Sequence, residues 1–357
     1  MSLFRELAFP PLSVGYGAAT RARLMLYRCG ALSATHVEAP VISVGNITAG
    51  GTGKTPLVEW LARALVREKR RRVCILTRGY GRADAGRRVV VSDGEQILAG
   101  AREGGDEPLL LAETLRGLAA VISDANRVAA AQWAIKSLGS EVFILDDGFQ
   151  HLRLARDLNL LTLDATDPWG GAKLLPGGRL REPLGEMKRA DAIIITRAEL
   201  AADLRDLRAR AQRLSGGRPV FIARTTTLRV ALLAASPADK AVASTDETNT
   251  LPEPLAAFCA IGNASAFFAY ARREGFMLCH TRAFADHHVY TQSEIDDCVR
   301  EAARHGAQAL LTTAKDAVKL RALEFTLPCY VLEVALTFDD ERAMLAMLYE
   351  AMLHGEL

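Results

Sequence analysis

The sequence predicts an α/β protein: a doubly wound, mostly parallel sheet followed by a second, smaller α/β lobe. Three observations predict it. Runs that are apolar at most positions, not at alternate ones, recur at 41–44, 73–76, 142–145, 158–163, 193–195 and 220–222, as strands buried on both faces of a parallel sheet require. Helix-length segments at 56–69, 108–118, 127–138 and 200–214 lie between them, each ending near Gly or a basic cluster, and this alternation implies right-handed crossovers. The first apolar run passes directly into a glycine-rich loop and then into a helix opened by Pro56.

The bulk numbers agree with this class. A chain of 357 residues has room for two hydrophobic cores,, and a composition half hydrophobic and 24% charged is that of a folded chain,. Lys plus Arg number 44 against 42 Asp plus Glu, a net charge of +2, so there is no electrostatic footprint for nucleic acid. No obligate protein partner is expected either. Six scattered cysteines form no C-x-x-C pair, which suits a reducing compartment. The expected organisation is an N-terminal membrane-associated helix at 1–30, a nucleotide-binding domain at 31–225 and a smaller α/β domain at 226–357. A polar stretch at 237–254 separates the lobes, and strands at 258–261, 309–312 and 330–333 resume the rhythm beyond it,.

At the N-terminus, Leu7 to Thr20 is uncharged and mostly apolar. It is too short to span a bilayer, and no basic region precedes it as in a cleaved signal peptide. After Pro10-Pro11, Leu12, Tyr16, Leu24 and Tyr27 fall on one helical face, with Arg21 and Arg28 on another,. A helix lying in a membrane interface has this pattern, and so does one docked on the protein's own core.

The strand at 41–44, the loop Gly45-Asn46-Ile47-Thr48-Ala49-Gly50-Gly51-Thr52-Gly53-Lys54-Thr55 and the helix after it stand in the order that a phosphate-binding P-loop requires,. Glycines let backbone N–H groups turn onto phosphate oxygens, and the helix N-terminus adds a favourable dipole. ATP and Mg²⁺ are the expected ligands: Lys54 would reach the β- and γ-phosphates and the Thr55 hydroxyl the cation. Thr48 stands where the first glycine of G-x-x-x-x-G-K-[ST] belongs. Ala49 stands where some membrane-associated switch ATPases carry lysine, which counts against the alternative of a membrane-associated switch ATPase that hydrolyses ATP without an acceptor. Asp146 and Asp147 emerge where the 142–145 run stops, and two adjacent carboxylates call for a cation to offset their repulsion.

A kinase must also orient a hydroxyl and take its proton. Three segments offer the chemistry: Gly104-Gly105-Asp106-Glu107-Pro108, Gly148-Phe149-Gln150-His151 and Asp286-His287-His288. Each has an ordinary structural reading, as a helix cap or a loop. Arg179 and Arg181 could fork onto an anionic group of the acceptor or be solvated loop charges.

Taken in order, Gly45-Asn46, Gly50 to Pro56, Arg78-Gly79-Tyr80-Gly81, Gly105-Asp106-Glu107-Pro108, Asp146 to His151, Leu180-Arg181-Glu182-Pro183-Leu184, Asp286-His287-His288 and Lys315 to Leu320 resemble the tetraacyldisaccharide 4′-kinases, the lipid A 4′-kinases of Gram-negative bacteria. The resemblance implies ATP-dependent phosphorylation of the 4′-hydroxyl of a tetraacylated glucosamine disaccharide 1-phosphate, giving lipid IVA, at the cytoplasmic face of the inner membrane. It implies Asp106 as proton acceptor supported by His287, with Glu107, Asp146 and Asp147 on the Mg²⁺ side. Gln150, His151, Arg179 and Arg181 fall to the glycolipid, and the N-terminal helix to the membrane and acyl chains. Asn126 and Ala314 depart from the acids usual at those positions.

Overall fold

The computed structural model describes residues 2–69, 71–234 and 251–354. The expected inter-lobe stretch at 237–254 lies mostly outside the described residues. The chain forms two compact units, one running to Thr225 and resuming at Leu336, the other spanning Thr226–Ala335.

The first unit opens with α1 (Ser2–Arg28). The expected N-terminal helix at 1–30 is present, and it runs through Pro10-Pro11. This sacrifices two N–H donors but asks nothing of φ, since the proline ring is fixed near the helical value. Leu24 is buried, Ser13 Oγ donates to the Leu174 carbonyl at 3.1 Å and accepts from the Gly177 N–H at 3.0 Å, and the Arg28 guanidinium pairs with Glu186 at 2.7 Å. Leu12, Val14, Met25 and Leu26 remain exposed. No helix among the described residues is long and apolar enough to cross a membrane.

After α1 come β1 (Val41–Gly45), α2 (Lys54–Lys69), β2 (Val73–Thr77), β3 (Val89–Ser92), α3 (Ala101–Gly104), α4 (Asp106–Thr114), β4 (Ala119–Ser123), α5 (Arg127–Leu138), β5 (Val142–Asp146), β6 (Leu158–Asp164), β7 (Ala192–Thr196), α6 (Leu204–Leu214) and β8 (Val220–Ala234). Their order in the sheet is β8-β7-β6-β1-β5-β2-β4-β3. All neighbours pair parallel except the edge strand β3. Strands β1, β2, β5, β6 and β7 are buried at every position, as their largely apolar runs require,, with the polar Ser43, Asn159 and Thr162 buried among them.

On one face, Ala130, Ala131 and Ala134 let α5 lie close over Phe143, Leu145, Leu76 and Ile122. Asn126 caps this helix, accepting from the Ala129 N–H at 3.2 Å, and Gly139 ends it in the left-handed region. The asparagine at that position therefore serves as an N-cap, a task it performs as well as an aspartate. Phe143 is fully buried, and its truncation to Ala would cost about 3–5 kcal/mol. A second cluster packs α6, through Leu207 and Ala211, against Leu161, Ile193, Ile195 and Phe149.

Several expected bounds shift. Helix α2 starts at Lys54, ahead of Pro56, because a proline in the first turn loses only an N–H that has no intrahelical partner. The expected 108–118 helix ends at Thr114, since Ala119–Ser123 is strand β4; its alanines concealed it. Helix α6 begins at Leu204, capped by the Asp203 side chain.

The second unit contains β9 (Leu255–Cys259), α7 (Ala264–Arg273), β10 (Leu278–Ala283), α8 (Gln292–Arg304), β11 (Ala309–Thr313), α9 (Ala314–Leu320) and most of β12 (Cys329–Phe338). Its parallel strands follow the order β10-β9-β11-β12. Strand β10 is half-buried and polar, which is why its sequence, Cys-His-Thr-Arg, carries no apolar run. The last helix, α10 (Glu341–His354), belongs to the first unit, where Phe338 meets Trp60 edge-on with ring centroids 4.7 Å apart.

Candidate active site

The chain builds β2 to β5 on one side of β1 and then crosses to β6 on the other. The order reverses at β1, where an open α/β sheet leaves a crevice beyond its strand ends. The glycine-rich loop occupies that place, and Lys54 and Thr55 are the first two residues of α2.

The loop is held from outside by its carbonyls. Arg179 donates through Nε and a terminal nitrogen to the Ala49 carbonyl at 3.0 and 2.8 Å, Arg197 to the Gly51 carbonyl at 2.9 Å, and Thr196 Oγ1 to the Thr52 carbonyl at 2.9 Å. A trans peptide directs its C=O and N–H oppositely, so these grips turn the N–H groups of Gly50, Thr52 and Gly53 to the other side. Amides gathered beside a helix N-terminus make an anion cradle. Gly50 and Gly53 have φ of 108° and 75°, conformations that side chains resist. Thr48 is buried and bridges antiparallel to Leu180; an extended pairing needs no glycine, which accounts for the threonine there. The Ala49 N–H is engaged by the Arg179 carbonyl at 2.6 Å. Asn46 Nδ2 donates to Thr52 Oγ1 at 2.9 Å.

Asp146 and Asp147 stand beside this loop at the end of β5. Lys54 Nζ lies 3.3 Å from Asp147 Oδ1, and one Arg181 nitrogen donates to both Asp147 oxygens at 3.0 and 2.8 Å. Burial pushes the Asp147 carboxyl up, but these two cations outweigh it and hold it near 2. Asp146 behaves oppositely: burial and the Glu107 charge push it up to about 7 against the pull of Lys54. A buried carboxyl that holds a proton at neutrality beside other acids is one that a cation would ionise.

Asp106 and Glu107 open α4, and Asp106 is buried. Their placement follows from two glycines in separate motifs. A Cβ on Gly105 would meet the Gly79 Cα at 3.2 Å, and one on Gly79 would lie 2.7 Å from the Gly104 carbonyl. The Arg78-Gly79-Tyr80-Gly81 turn thus packs backbone to backbone against the turn that aims Asp106.

Gln150 Nε2 donates to the Asn46 carbonyl at 2.8 Å, and its own carbonyl accepts from Arg23 of α1 at 3.0 Å. His151 is largely enclosed; burial, with Arg127 and Arg156 nearby, lowers its pKa to about 4. Arg179 also pairs with Asp167 at 2.8 Å, so the structure places this guanidinium on the loop. His287 belongs to the second unit, with φ of 61°, its Nε2 3.4 Å from Lys315 Nζ.

Sequence reasoning missed Thr196, Arg197 and Asp164, the last of which is ion-paired with Arg197. The available signal was position: polar residues ending β6 and β7 face the same crevice as the loop. It also missed Arg127, buried beside Asp146 and Asp147, whose guanidinium burial and Arg78 lower to about 10.

Among the described residues no group of three or more His, Cys, Asp or Glu is arranged to hold a metal ion by itself. Mg²⁺ does not need one, because it binds through one or two carboxylates plus substrate phosphates and waters. Hard oxygen donors at Asp146, Glu107 and Thr55 suit that chemistry.

A phosphate loop at the reversal point of a parallel sheet, with a lysine paired to a strand-end aspartate, defines a P-loop nucleotide-binding protein of the phosphotransferase kind. Comparison with known proteins gives the family. The model of tetraacyldisaccharide-1-P 4′-kinase (LpxK) matches residues 5–353, and the chain belongs to this family. It is 38% identical over 320 residues to the tetraacyldisaccharide 4′-kinase of Desulfotalea psychrophila, covering 90% of this chain and 89% of that one. To that of Geobacter metallireducens it is 41% identical over 309 residues, 87% of each. The crystal structure of LpxK from Aquifex aeolicus in complex with ATP superposes with a TM-score of 0.72 at 31% identity, covering 96% of this chain and 98% of that one.

Proposed function

We propose that this chain transfers the γ-phosphate of ATP to the 4′-hydroxyl of a tetraacylated disaccharide 1-phosphate, forming lipid IVA, as a peripheral enzyme at the cytoplasmic face of the inner membrane. The observation that carries the proposal is the outward grip on the Ala49, Gly51 and Thr52 carbonyls beside Lys54 and the paired aspartates, within a chain of this family.

Lys54 offers a point charge to the β- and γ-phosphates, and the amides of Gly50, Thr52 and Gly53 hold their oxygens. Asp146, Glu107 and the Thr55 hydroxyl would hold Mg²⁺, which when bound neutralises charge developing on the phosphates. Asp147, kept ionised by Lys54 and Arg181, fixes the lysine's position. Asp106, at the start of α4, accepts the proton of the attacking hydroxyl, with His287 in support. Arg181, Gln150 and His151 face the glycolipid, and the exposed Leu12, Val14, Met25 and Leu26 of α1 meet the membrane and acyl chains.

The test is incubation of purified protein with labelled ATP and the disaccharide 1-phosphate in detergent micelles. Label should appear on a bisphosphorylated lipid, and Asp106→Ala should abolish that transfer, a loss on the order of 10²–10⁴-fold, while nucleotide binding persists. Hydrolysis of ATP with no labelled lipid would sink the proposal, and an equally active Asp106→Ala enzyme would reject the base assignment.

A further inference from the structure

We infer that Arg156 is a positioning residue for the phosphoryl transfer: by holding the carbonyls of Gly148, Phe149 and His151 it fixes the turn that carries Asp147, and Asp147 sets the place of the Lys54 ammonium. The inference rests on the kinase reading above and on the role that reading gives Lys54.

Arg156 stands two residues before β6, on the segment that returns from β5, and its side chain reaches back to the turn where that segment began. One terminal nitrogen donates to the Gly148 carbonyl at 3.3 Å, the Phe149 carbonyl at 3.4 Å and Asn159 Oδ1 at 3.4 Å. The other donates to the His151 carbonyl at 2.7 Å. All these acceptors are neutral. The neighbouring Arg189 donates to the same Phe149 carbonyl at 3.4 Å but is paired with Glu182, and with Glu186 at 3.1 Å. Arg156 is half-buried, and burial together with the Arg189 charge lowers its pKa to about 10. Drawing a cation out of water costs free energy that an ion pair would offset; here the guanidinium is given instead to the backbone of one turn.

That turn needs holding. Asp147 has φ of 49°, a region that a non-glycine residue keeps only when its surroundings impose it. The Gly148 N–H donates to the Val44 carbonyl at 2.8 Å, and a Cβ on Gly148 would lie 2.6 Å from Ser43 Oγ, so the turn lies flush against β1. Arg181 grips the Asp147 carboxylate through both oxygens but does not hold its backbone. From this pose Asp147 reaches Lys54 at 3.3 Å at the head of α2, and Gln150 Nε2 reaches the Asn46 carbonyl at 2.8 Å at the start of the phosphate loop. Freed from Arg156, the Gly148 and His151 carbonyls turn to other partners, Asp147 relaxes toward a negative φ, and its carboxylate leaves the ammonium. A cavity of about 590 Å³ opens beside Arg156, among Tyr27, Leu32, Leu154 and Asp191.

The experiment applies the labelled-lipid assay to the full-length enzyme and its Arg156→Ala, Arg156→Lys and Lys54→Ala variants. Turnover should fall about ten- to a hundredfold in Arg156→Ala. In a Lys54→Ala background the same change should add no loss, because the two residues act as one unit. Guanidinium ion at millimolar concentration, admitted through the cavity, should return part of the turnover of Arg156→Ala and raise nothing in the wild type, and methylammonium should return none. Guanidinium weakens folding, so a gain in rate separates positioning from support of the fold. Arg156→Lys keeps the charge and the stem but cannot bridge the Gly148 and His151 carbonyls together. It should lose about tenfold, and it carries the same cycle with Lys54→Ala if Arg156→Ala does not fold. Wild-type turnover in either Arg156 variant, a folded Arg156→Ala enzyme indifferent to guanidinium, or a full further loss in the Lys54→Ala background overturns the assignment of Arg156 alone. An undiminished Lys54→Ala enzyme overturns the reading of Lys54 and this assignment with it, and a wild type that labels no lipid sinks the kinase reading itself.

Discussion

Lys54 Nζ stands 3.3 Å from Asp147 Oδ1, so an acid just past β5 fixes the ammonium at the head of α2. Lys54→Ala should cut turnover by about 10²–10³, the cost of removing one preorganised charge contact to the reacting group. Thermal unfolding should barely change, because Arg181 still pairs with Asp147. Initial rates at saturating ATP check this, and a loss of less than tenfold would show that Lys54 does not touch the transferred phosphate.

Arg197 grips the Gly51 carbonyl and is itself held by the buried Asp164. Arg197→Ala releases the peptide whose N–H belongs to Thr52. A charge-assisted hydrogen bond contributes about 1.5–3 kcal/mol, so calorimetric ATP affinity should drop by about an order of magnitude or more. Arg197→Lys should restore part of it. Unaltered affinity in Arg197→Ala would mean the loop keeps its shape unaided.

Asp146 makes stability depend on pH. Its folded pKa of about 7 exceeds the ordinary 3.8, so between these values the folded chain keeps a proton that the unfolded chain has lost. Its stabilising contribution is therefore full below pH 3.8 and drains away as pH rises to about 7. In protein free of nucleotide and divalent cation, Asp146→Asn should match the wild type near pH 4 and melt at a higher temperature at pH 8. Melting curves at the two pH values decide it, and an equal shift at both would reject the cause named here.

In the second unit, Asp316→Ala should be severely destabilising. It leaves Lys319, 7% exposed, as an uncompensated buried charge, a change that costs about 3–5 kcal/mol. Urea unfolding measures the loss, and a value under about 1 kcal/mol would show that solvent reaches the lysine.

How much of this was legible varies with the kind of signal. Strands β1, β2, β5, β6 and β7 were readable because burial on both faces favours apolar residues along the whole run and not only at alternate positions. Strand β4 was not, because Ala119 and Ala120 suit a helix as well and only the pairing with β2 decides between them. The edge strand β3 and the polar β10 owe their existence to a neighbour's hydrogen bonds. The places of Lys54 and Thr55 at a helix start and of the Asp146-Asp147 pair at a strand end were readable from local order, whereas the hold of Arg179 on the Ala49 carbonyl was not.

By itself the sequence determined the α/β class, the phosphate loop and its helix, and the acid pair at a strand end, because each is written in contiguous residues whose spacing follows the period of one element. Only the tertiary structure decided which side chains hold the loop's carbonyls, that Gly79 and Gly105 meet to aim Asp106, and that Arg181 reaches Asp147. These are meetings of segments distant in the chain, brought about by packing and hydrogen-bond satisfaction, and no local pattern encodes a partner's position.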